Sequence, residues 1–410
     1  MTGSAAALAW IAAAGLSALW WARAAWFGLL TELRVDRLPL CPADAPPGGW
    51  PALTVVVPAR DEARGVEAAV RSLLLQDYPG LRVVAVDDRS TDGTGAILDR
   101  LAAESRRLEV LHVRDLPEGW LGKNHACARG AEAAGGRWLL FTDGDVLFAP
   151  GALRRATAYA ESRSLGHLVA LPRLLAPGLL ERAFVSTFAS FANLAFRTWE
   201  LRRPATSAFI GIGAFNLVRR DEYLRAGGHG RLRLEAVDDV KLGMVLRRTG
   251  VRQGAVASGG MVSVRWNKGF RASWAGLLKN AFAGAEYRWS LALAAASGLA
   301  LLSAAPVAAA LFASSPGARA LGLAGVVLSS AVVGTVARRV AGASGLEGVL
   351  LPVAGPALAA ALLASAAAAT LRGAVVWRDT RYPLAALRHG CVRVRDWPSD
   401  AAVGWDRRWW

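Results

Sequence analysis

Residues 54–62 read TVVVPARDE, residues 83–94 VVAVDDRSTDGT and residues 139–146 LLFTDGDV. Each is a short apolar run that stops at acids: Asp61-Glu62, Asp87-Asp88 and Asp143-Gly144-Asp145. Runs of this length, rich in Val and Leu and closed by turn-forming residues, have the pattern of strands buried on both faces. When such strands lie parallel, their carboxyl ends meet along one edge, the usual ligand crevice of an open α/β sheet. A fourth acid pair, Asp238-Asp239 in LEAVDDV (234–240), joins the set. Acids gathered at that edge predict a metal and a nucleotide.

The segments between these runs support a parallel arrangement. Val66, Ala69, Val70, Leu73 and Leu74 recur at i, i+3, i+4, i+7 and i+8, an amphipathic helix that closes near Asp77-Tyr78-Pro79-Gly80. LRVVAVDD then supplies the second strand of a βαβ unit. A helix near 93–105, a strand LEVLHV, a helix near 123–134 and a strand RWLLFTD continue the alternation. The fold class is therefore α/β with a mostly parallel sheet over residues 53–268, entered through a Pro- and Gly-rich linker at 39–52.

Composition sets the second half of the architecture. Hydrophobic residues make up 54% of the 410, and residues 5–22, 289–318, 320–337 and 348–371 are almost free of charge. Each is long enough to cross an apolar core of about 30 Å. The reading is an anchor at 1–38, membrane segments at 289–371 and an Arg-rich cytoplasmic tail at 372–410. Residues 269–288 form an amphipathic helix for the bilayer interface, since Phe270, Trp274, Leu277, Leu278 and Phe282 share one face. Residues 179–200, rich in Phe, Leu and Ala, fit either a core helix or one resting on lipid.

The net charge of +16 comes mostly from Arg, because Lys occurs only at 123, 241, 268 and 279. With no basic arm, zinc spacing or aromatic RNA-binding signature, this charge describes a membrane face and excludes nucleic acid as a partner. Cys41, Cys127 and Cys391 show neither metal-ligand spacing nor a disulfide framework, which suits a reduced compartment. No Lys or Arg precedes the first apolar run, whereas Arg23, Arg34 and Arg37 follow it. That asymmetry predicts a retained anchor and an integral membrane protein of bacterial type, with its catalytic domain in the cytoplasm.

Three full crossings after such a domain would leave the tail outside, against the pull of Arg372, Arg378, Arg381, Arg388, Arg393 and Arg395. One segment is then expected to be re-entrant. The third is the candidate, with a break at Pro352, Gly355 and Pro356.

Taken in order, VVVPARDE, VDDRSTDGT, FTDGDV, the stretch GIGAFNLVRRDEYLRAGG (211–228), VDDV and Arg265-Trp266 resemble the family 2 glycosyltransferases of GT-A fold. The likeness covers residues 53 to about 270. LPEGWLGKNHACARGAEAAGGRWLLFTDGDV (116–146) is similar in particular to membrane glycosyltransferases of hopanoid and carotenoid pathways. The placing of apolar segments before and after the domain resembles ceramide glucosyltransferase.

This resemblance implies a Rossmann-like GT-A domain between transmembrane helices, and it distributes roles. Asp145 would ligate a divalent cation, Mg²⁺ or Mn²⁺, with Asp143 in the metal shell or on the ribose. The plainer reading of that pair is an Asx turn after a strand. Asp88 would face the base or ribose, in a nucleotide-sugar pocket shaped by Pro58, Ala59, Arg60, Asp61 and Glu62. Asp239 stands where the family places its general base, and Asp238 replaces the usual Glu beside it. Against this, an acid pair at a helix amino terminus is favoured by the dipole alone.

Arg265 would meet the diphosphate and Trp266 line the acceptor site, although Val262 stands where the motif has Gln. A Trp near a membrane is also a common interfacial anchor. From its chemistry, Lys123 is a candidate to steady the diphosphate; the plainer reading is a solvated lysine at a helix start. Gly211 and Gly213 suggest a loop whose backbone approaches the acceptor.

The expected activity is inverting transfer of a sugar from a UDP- or GDP-sugar to a hydrophobic lipid acceptor, such as a carotenoid, a hopanoid or another polyisoprenoid. The rival readings are a processive polysaccharide synthase and a non-catalytic membrane scaffold that keeps the fold.

Overall fold

A computed structural model describes residues 2–203 and 205–394. Arg395 and the rest of the predicted tail to residue 410 lie outside the described residues.

In chain order, helix α1 (Thr2–Arg34) leads to strands β1 (Asp36–Arg37) and β2 (Leu53–Ala59), then α2 (Val66–Leu74), β3 (Leu81–Asp88), α3 (Thr94–Glu104), β4 (Leu108–Val113), α4 (Gly122–Ala133) and β5 (Trp138–Phe141). Next come β6 (Val146–Phe148), α5 (Ala152–Ser162), β7 (His167–Leu171), β8 (Arg173–Leu174), α6 (Leu179–Phe196), β9 (Asn216–Arg219), α7 (Arg220–Arg225), α8 (Asp238–Arg248), β10 (Gln253–Ala257) and β11 (Val262–Val264). The chain continues through α9 (Phe270–Gly284), α10 (Trp289–Phe312), α11 (Pro316–Val336), α12 (Leu351–Arg372), the hairpin of β12 (Ala374–Trp377) and β13 (Thr380–Pro383), and α13 (Leu384–Gly390).

Two compact units result. Among the described residues, an α/β unit comprises Val35–Arg173, Phe196–Val264 and residues 389–394; a helical unit comprises residues 2–34, Leu174–Ala195 and Arg265–Arg388.

The α/β unit is built on an eight-stranded sheet in the order β1-β10-β7-β9-β5-β2-β3-β4. All neighbours run parallel except β9, which is antiparallel to both β5 and β7. The sequence shows why the strands sit at the centre. Val55 and Val57 point to one face, against Val66, Val70 and Leu73 of α2 and the apolar side of α5, whereas Val56, Leu139 and Phe141 point to the other, against α4 and α8. Each fully buried aliphatic side chain of this kind contributes about 1.5–3 kcal/mol. Burial on both faces also removes the alternation that a half-exposed strand would show.

Register then fixes the functional edge. Ala59 pairs with Asp87 and Val56 with Phe141, so the ends of β2, β3 and β5 are level. The residues that follow them, Asp61-Glu62, Asp88 and Asp143-Gly144-Asp145, share one rim. Because β9 runs the other way, with Asn216 opposite Phe141, it begins at the same rim and delivers Gly211–Phe215 there.

The helical unit holds four helices long and apolar enough to cross a membrane: Ala7–Arg34, Trp289–Phe312, Pro316–Ala341 and Leu346–Arg372. Gly322 lies against Ala310 and Gly325 against Pro306, the order of an antiparallel α10/α11 pair. Along α12, Gly355 abuts Ser303, and Thr370 Oγ1 accepts from Trp289 Nε1 at 3.1 Å, so α12 runs antiparallel beside the first half of α10. The expected break at Pro352–Pro356 is absent: α12 is one helix of 22 residues. Pro352 falls in the first turn, where its missing N–H has no intrahelical partner to lose, and Pro356 forfeits a single bond. The chain turns instead ahead of α12, at Gly342 and Gly345, whose φ values are 60° and 95°.

In α6, Phe184 is buried and meets Phe270 edge-on, with ring centroids 5.3 Å apart, while Leu179 and Leu180 remain exposed. The apolar face of α9 packs along α12, where Trp274 Nε1 donates to the Ala357 carbonyl at 3.0 Å and the Phe282 N–H to Ser365 Oγ at 3.2 Å.

Candidate active site

The rim of the α/β unit begins with Asp88, buried at the end of β3. Its carboxylate accepts from Arg89 Nε at 2.8 Å and has Arg60 Nη1 at 3.8 Å. Asp61 and Arg89 both adopt positive φ, 54° and 58°, a conformation that non-glycine residues occupy at a cost and that recurs at functional turns. The turn is tied by Asp61 Oδ1, which accepts from the Thr91 N–H at 2.8 Å, and by Thr94 Oγ1, which accepts from the Glu62 N–H at 2.8 Å. Asp87 turns away to His112, with Oδ2 3.1 Å from Nδ1. Asp92 opens α3 by accepting from the Thr94 N–H at 3.1 Å.

The second cluster assembles around Gly213. Its N–H donates to Asp239 Oδ2 at 2.7 Å, and its carbonyl accepts from the Asp143 N–H at 3.0 Å. A Cβ at Gly213 would collide with the Asp143 carboxylate, and one at Gly211 with the Asp239 backbone. These glycines thus have a reason nearer than an acceptor: only a bare backbone lets the 211–215 segment thread between the two acids.

Asp238 and Asp239 form the first turn of α8, where the helix dipole favours a negative charge. Burial nevertheless raises both carboxyls above the usual range, and the Lys123 ammonium pulls them back. Burial also pushes Asp145 up to about 7, helped by the charges of Asp143 and Glu62.

Lys123 links the clusters. Its Nζ lies 2.7 Å from Asp143 Oδ1 and 3.6 Å from Asp238 Oδ1. Burial alone would lower its pKa, but Asp143, Asp238 and Asp239 together hold it well above the ordinary lysine value. The next residue, Asn124, pins the approach to the acid pair by donating to the Glu235 carbonyl at 2.9 Å.

The α/β unit therefore brings together Glu62 with Asp145, Arg60 with Asp88, and Lys123 with Asp143, Asp238, Asp239 and Gly213. Pro58 and Ala59 end β2 beneath them. Arg265 and Trp266 fold with the helical unit, where the Trp266 ring lies tilted against Phe188, with centroids 4.8 Å apart.

Sequence reasoning missed a buried layer under α8. Cys127, His229 and Asp238 bring one potential ligand atom each within 4.8 Å of one another. Their chemistry does not fit a hard divalent cation. Burial pushes the Cys127 thiol well above its ordinary value, so no thiolate is available, and Lys123 already stands beside Asp238. His229 Nδ1 is 2.9 Å from Tyr223 Oη, and burial lowers its pKa to about 3, keeping the ring neutral. The layer is a packed polar support. The only signal for it is the i, i+4 spacing of Lys123 and Cys127 on α4. Asp143 and Asp145 do fit Mg²⁺ or Mn²⁺: both are oxygen donors, one residue apart, in a pocket with excess negative charge.

Residues 54–223 match the family model described as Glycosyl transferase family 2. The chain carries a family 2 glycosyltransferase domain. The matched segment begins at β2 and ends in α7, taking in the acids of the rim and Lys123. The 4,4'-diaponeurosporenoate glycosyltransferases of Staphylococcus aureus strains MRSA252 and USA300 are each 29% identical to it over 202 residues, 47% of this chain and 50% of the relative. The chain spans about half the length of the curated relatives it matches. A mannosyltransferase from Pyrobaculum calidifontis, solved with GDP-Man and Mn²⁺, superposes with a TM-score of 0.56 at 23% identity, covering 90% of this chain and 98% of that one. That likeness is one of fold, and it shows the GT-A-like α/β architecture.

Proposed function

We propose that this chain is a membrane-bound, metal-dependent, inverting glycosyltransferase that moves a sugar from a UDP- or GDP-sugar to the hydroxyl or carboxyl of a hydrophobic lipid acceptor. The observation that carries the reading is Asp239, held by the Gly213 N–H and joined through that residue and Lys123 to the donor-side acid Asp143. Inversion needs one carboxylate to take the acceptor proton as the acceptor oxygen attacks opposite the leaving diphosphate. Asp239 is that carboxylate. Asp88, Arg60, Glu62 and the turn after Pro58-Ala59 hold the nucleotide, Lys123 and Arg265 meet the diphosphate, and Asp238, Trp266, Gly211 and Gly213 shape the acceptor side. Asp143 and Asp145 would hold the divalent ion, which supplies Lewis-acid stabilisation of the departing diphosphate. The relatives named for a carotenoid acid favour a polyisoprenoid acceptor.

The test incubates the purified chain with UDP-, GDP- and dTDP-sugars and a native lipid extract, with Mn²⁺ or with chelator. A metal-dependent, organic-extractable glycolipid is the expected product. Radiolabel in a high-mass polymer would favour a polysaccharide synthase, and no product with any donor would count against catalysis.

The chain's return supports a membrane placement. The Val392 N–H donates to Glu235 Oε2 at 2.8 Å, and Lys241 Nζ donates to the Val392 carbonyl at 2.6 Å, so the segment after α13 folds with the α/β unit. Parts of one folded domain lie on one face of a membrane, which requires an even number of crossings among α10, α11 and α12. The antiparallel α10/α11 pair goes out and back; the segment that turns at Gly342 and Gly345 and returns as α12, alongside only half of α10, enters and leaves on the catalytic side, and the Arg bias favours the cytoplasm for that side. In a chain with its native cysteines replaced, Cys at Ala103 and at Val376 should resist an externally added maleimide in intact spheroplasts, while Cys at Ser314 reacts. Labelling of Val376 together with Ser314 would refute this arrangement.

A further inference from the structure

Lys123 is rooted in the first turn of α4, with four methylenes between its backbone and its charge. The same turn serves two places. Gly122 lies directly against the Asp88 carboxylate on the nucleotide side, and Lys123 Nζ reaches Asp143 Oδ1 at 2.7 Å on the metal side. The ammonium thus sits on the carboxylate that a cation bound by the Asp143–Asp145 pair would share. A monovalent cation on that oxygen and a divalent ion beside it repel, and both draw on the charge of the same carboxylate.

We propose that Lys123 is a placeholder cation: with no donor bound it neutralises Asp143, and an arriving nucleoside diphosphate draws it onto the phosphate oxygens, releasing Asp143 to the divalent ion. The inference rests on the proposed metal and diphosphate sites, and it adds that one side chain makes their occupancy cooperative. Several features fit the role. A lysine, unlike an arginine, is a flexible point charge with no fixed bidentate geometry to lose on moving. Asp238, at 3.6 Å, gives the ammonium a second partner that steadies it when the pocket is empty. Because coupling is reciprocal, metal must favour nucleotide by the factor that nucleotide favours metal.

Mn²⁺ binding to the purified full-length chain, read by electron paramagnetic resonance with and without UDP or GDP, tests this independently of turnover. Wild type should bind Mn²⁺ weakly alone and roughly 5- to 150-fold more tightly with the matching nucleotide, the usual span of coupling between two sites. Lys123→Met and Lys123→Gln should each bind Mn²⁺ alone more tightly than wild type and lose most of that enhancement, whereas Lys123→Arg should keep Mn²⁺ binding alone weak and show a smaller enhancement than wild type, because a bidentate guanidinium is harder to draw off Asp143. Lys123→Gln is included because its amide keeps hydrogen bonds to the acids if Lys123→Met fails to fold. Folded Lys123 variants with wild-type Mn²⁺ affinity and unchanged coupling would overturn the proposal. Undiminished Mn²⁺ binding by Asp145→Asn would instead remove the metal-site reading beneath it, so the two failures are distinguishable.

Discussion

Asp239→Asn is expected to lower kcat by roughly 10²- to 10⁴-fold, the span that a positioned general base contributes, while Mn²⁺ and nucleotide affinities stay near wild type. The geometry separates the two effects. Asp239 Oδ2 takes the Gly213 N–H at 2.7 Å and Oδ1 the Val240 N–H at 2.8 Å, so the group is oriented entirely by backbone. An Asn can keep one of these bonds through its carbonyl and leaves Asp143 and Asp145 in place, but its amide takes no proton. The pH profile carries the same information. Burial raises the Asp239 carboxyl above the usual carboxylate range, and a base works only when deprotonated. Activity should therefore fall as the pH drops through this raised value, with the acid limb above that of an exposed Asp. A single-turnover assay with radiolabelled donor would show both changes, and an Asn variant with wild-type kcat would remove Asp239 from the role.

The sheet was legible because its signals are local. Apolar runs of four to eight residues that halt at Asp61, Asp88 and Asp143 report both the strand and its end, and parallel pairing puts those ends level. The reversed strand β9 was not legible, since nothing in NLVR distinguishes its direction.

Within the site, acids in strand-end motifs could be found one by one, but their partners could not. Lys123 reads as a phosphate ligand until the fold brings the start of α4 to the turn after β5 and to the start of α8, when Asp143 and Asp238 become its neighbours. His229 and Cys127 are far apart in sequence and meet only through packing beneath the acid pair. The Pro352–Pro356 reading failed for the opposite reason. A local rule about proline carries no information on the helix start that makes Pro352 harmless, and the turn depends on the positive φ of Gly342 and Gly345.

Asp145→Asn is the second large effect, and it should move activity and stability in opposite directions. A metal that stabilises a departing diphosphate supplies several kcal/mol, so at about 1.4 kcal/mol per decade the variant should lose on the order of 10²- to 10⁴-fold in kcat/KM. It should also show little further loss in chelator. The same carboxyl is a burden on the metal-free fold. With its pKa pushed up to about 7, the folded chain holds a proton that the unfolded chain releases near the ordinary carboxylate value. Between those two points the native state binds more protons, so the stability of the metal-free protein falls as the pH rises, and the loss is complete above about 7.

An amide in that place has no charge to bury. In chelator at pH 8, Asp145→Asn should melt at or above the wild-type Tm, and adding Mn²⁺ should raise the wild-type Tm while leaving the variant unmoved. If Mn²⁺ raised both melting temperatures equally, Asp145 would not be a ligand. If the variant melted well below wild type in chelator, the carboxylate would be held by structural contacts rather than waiting for a cation.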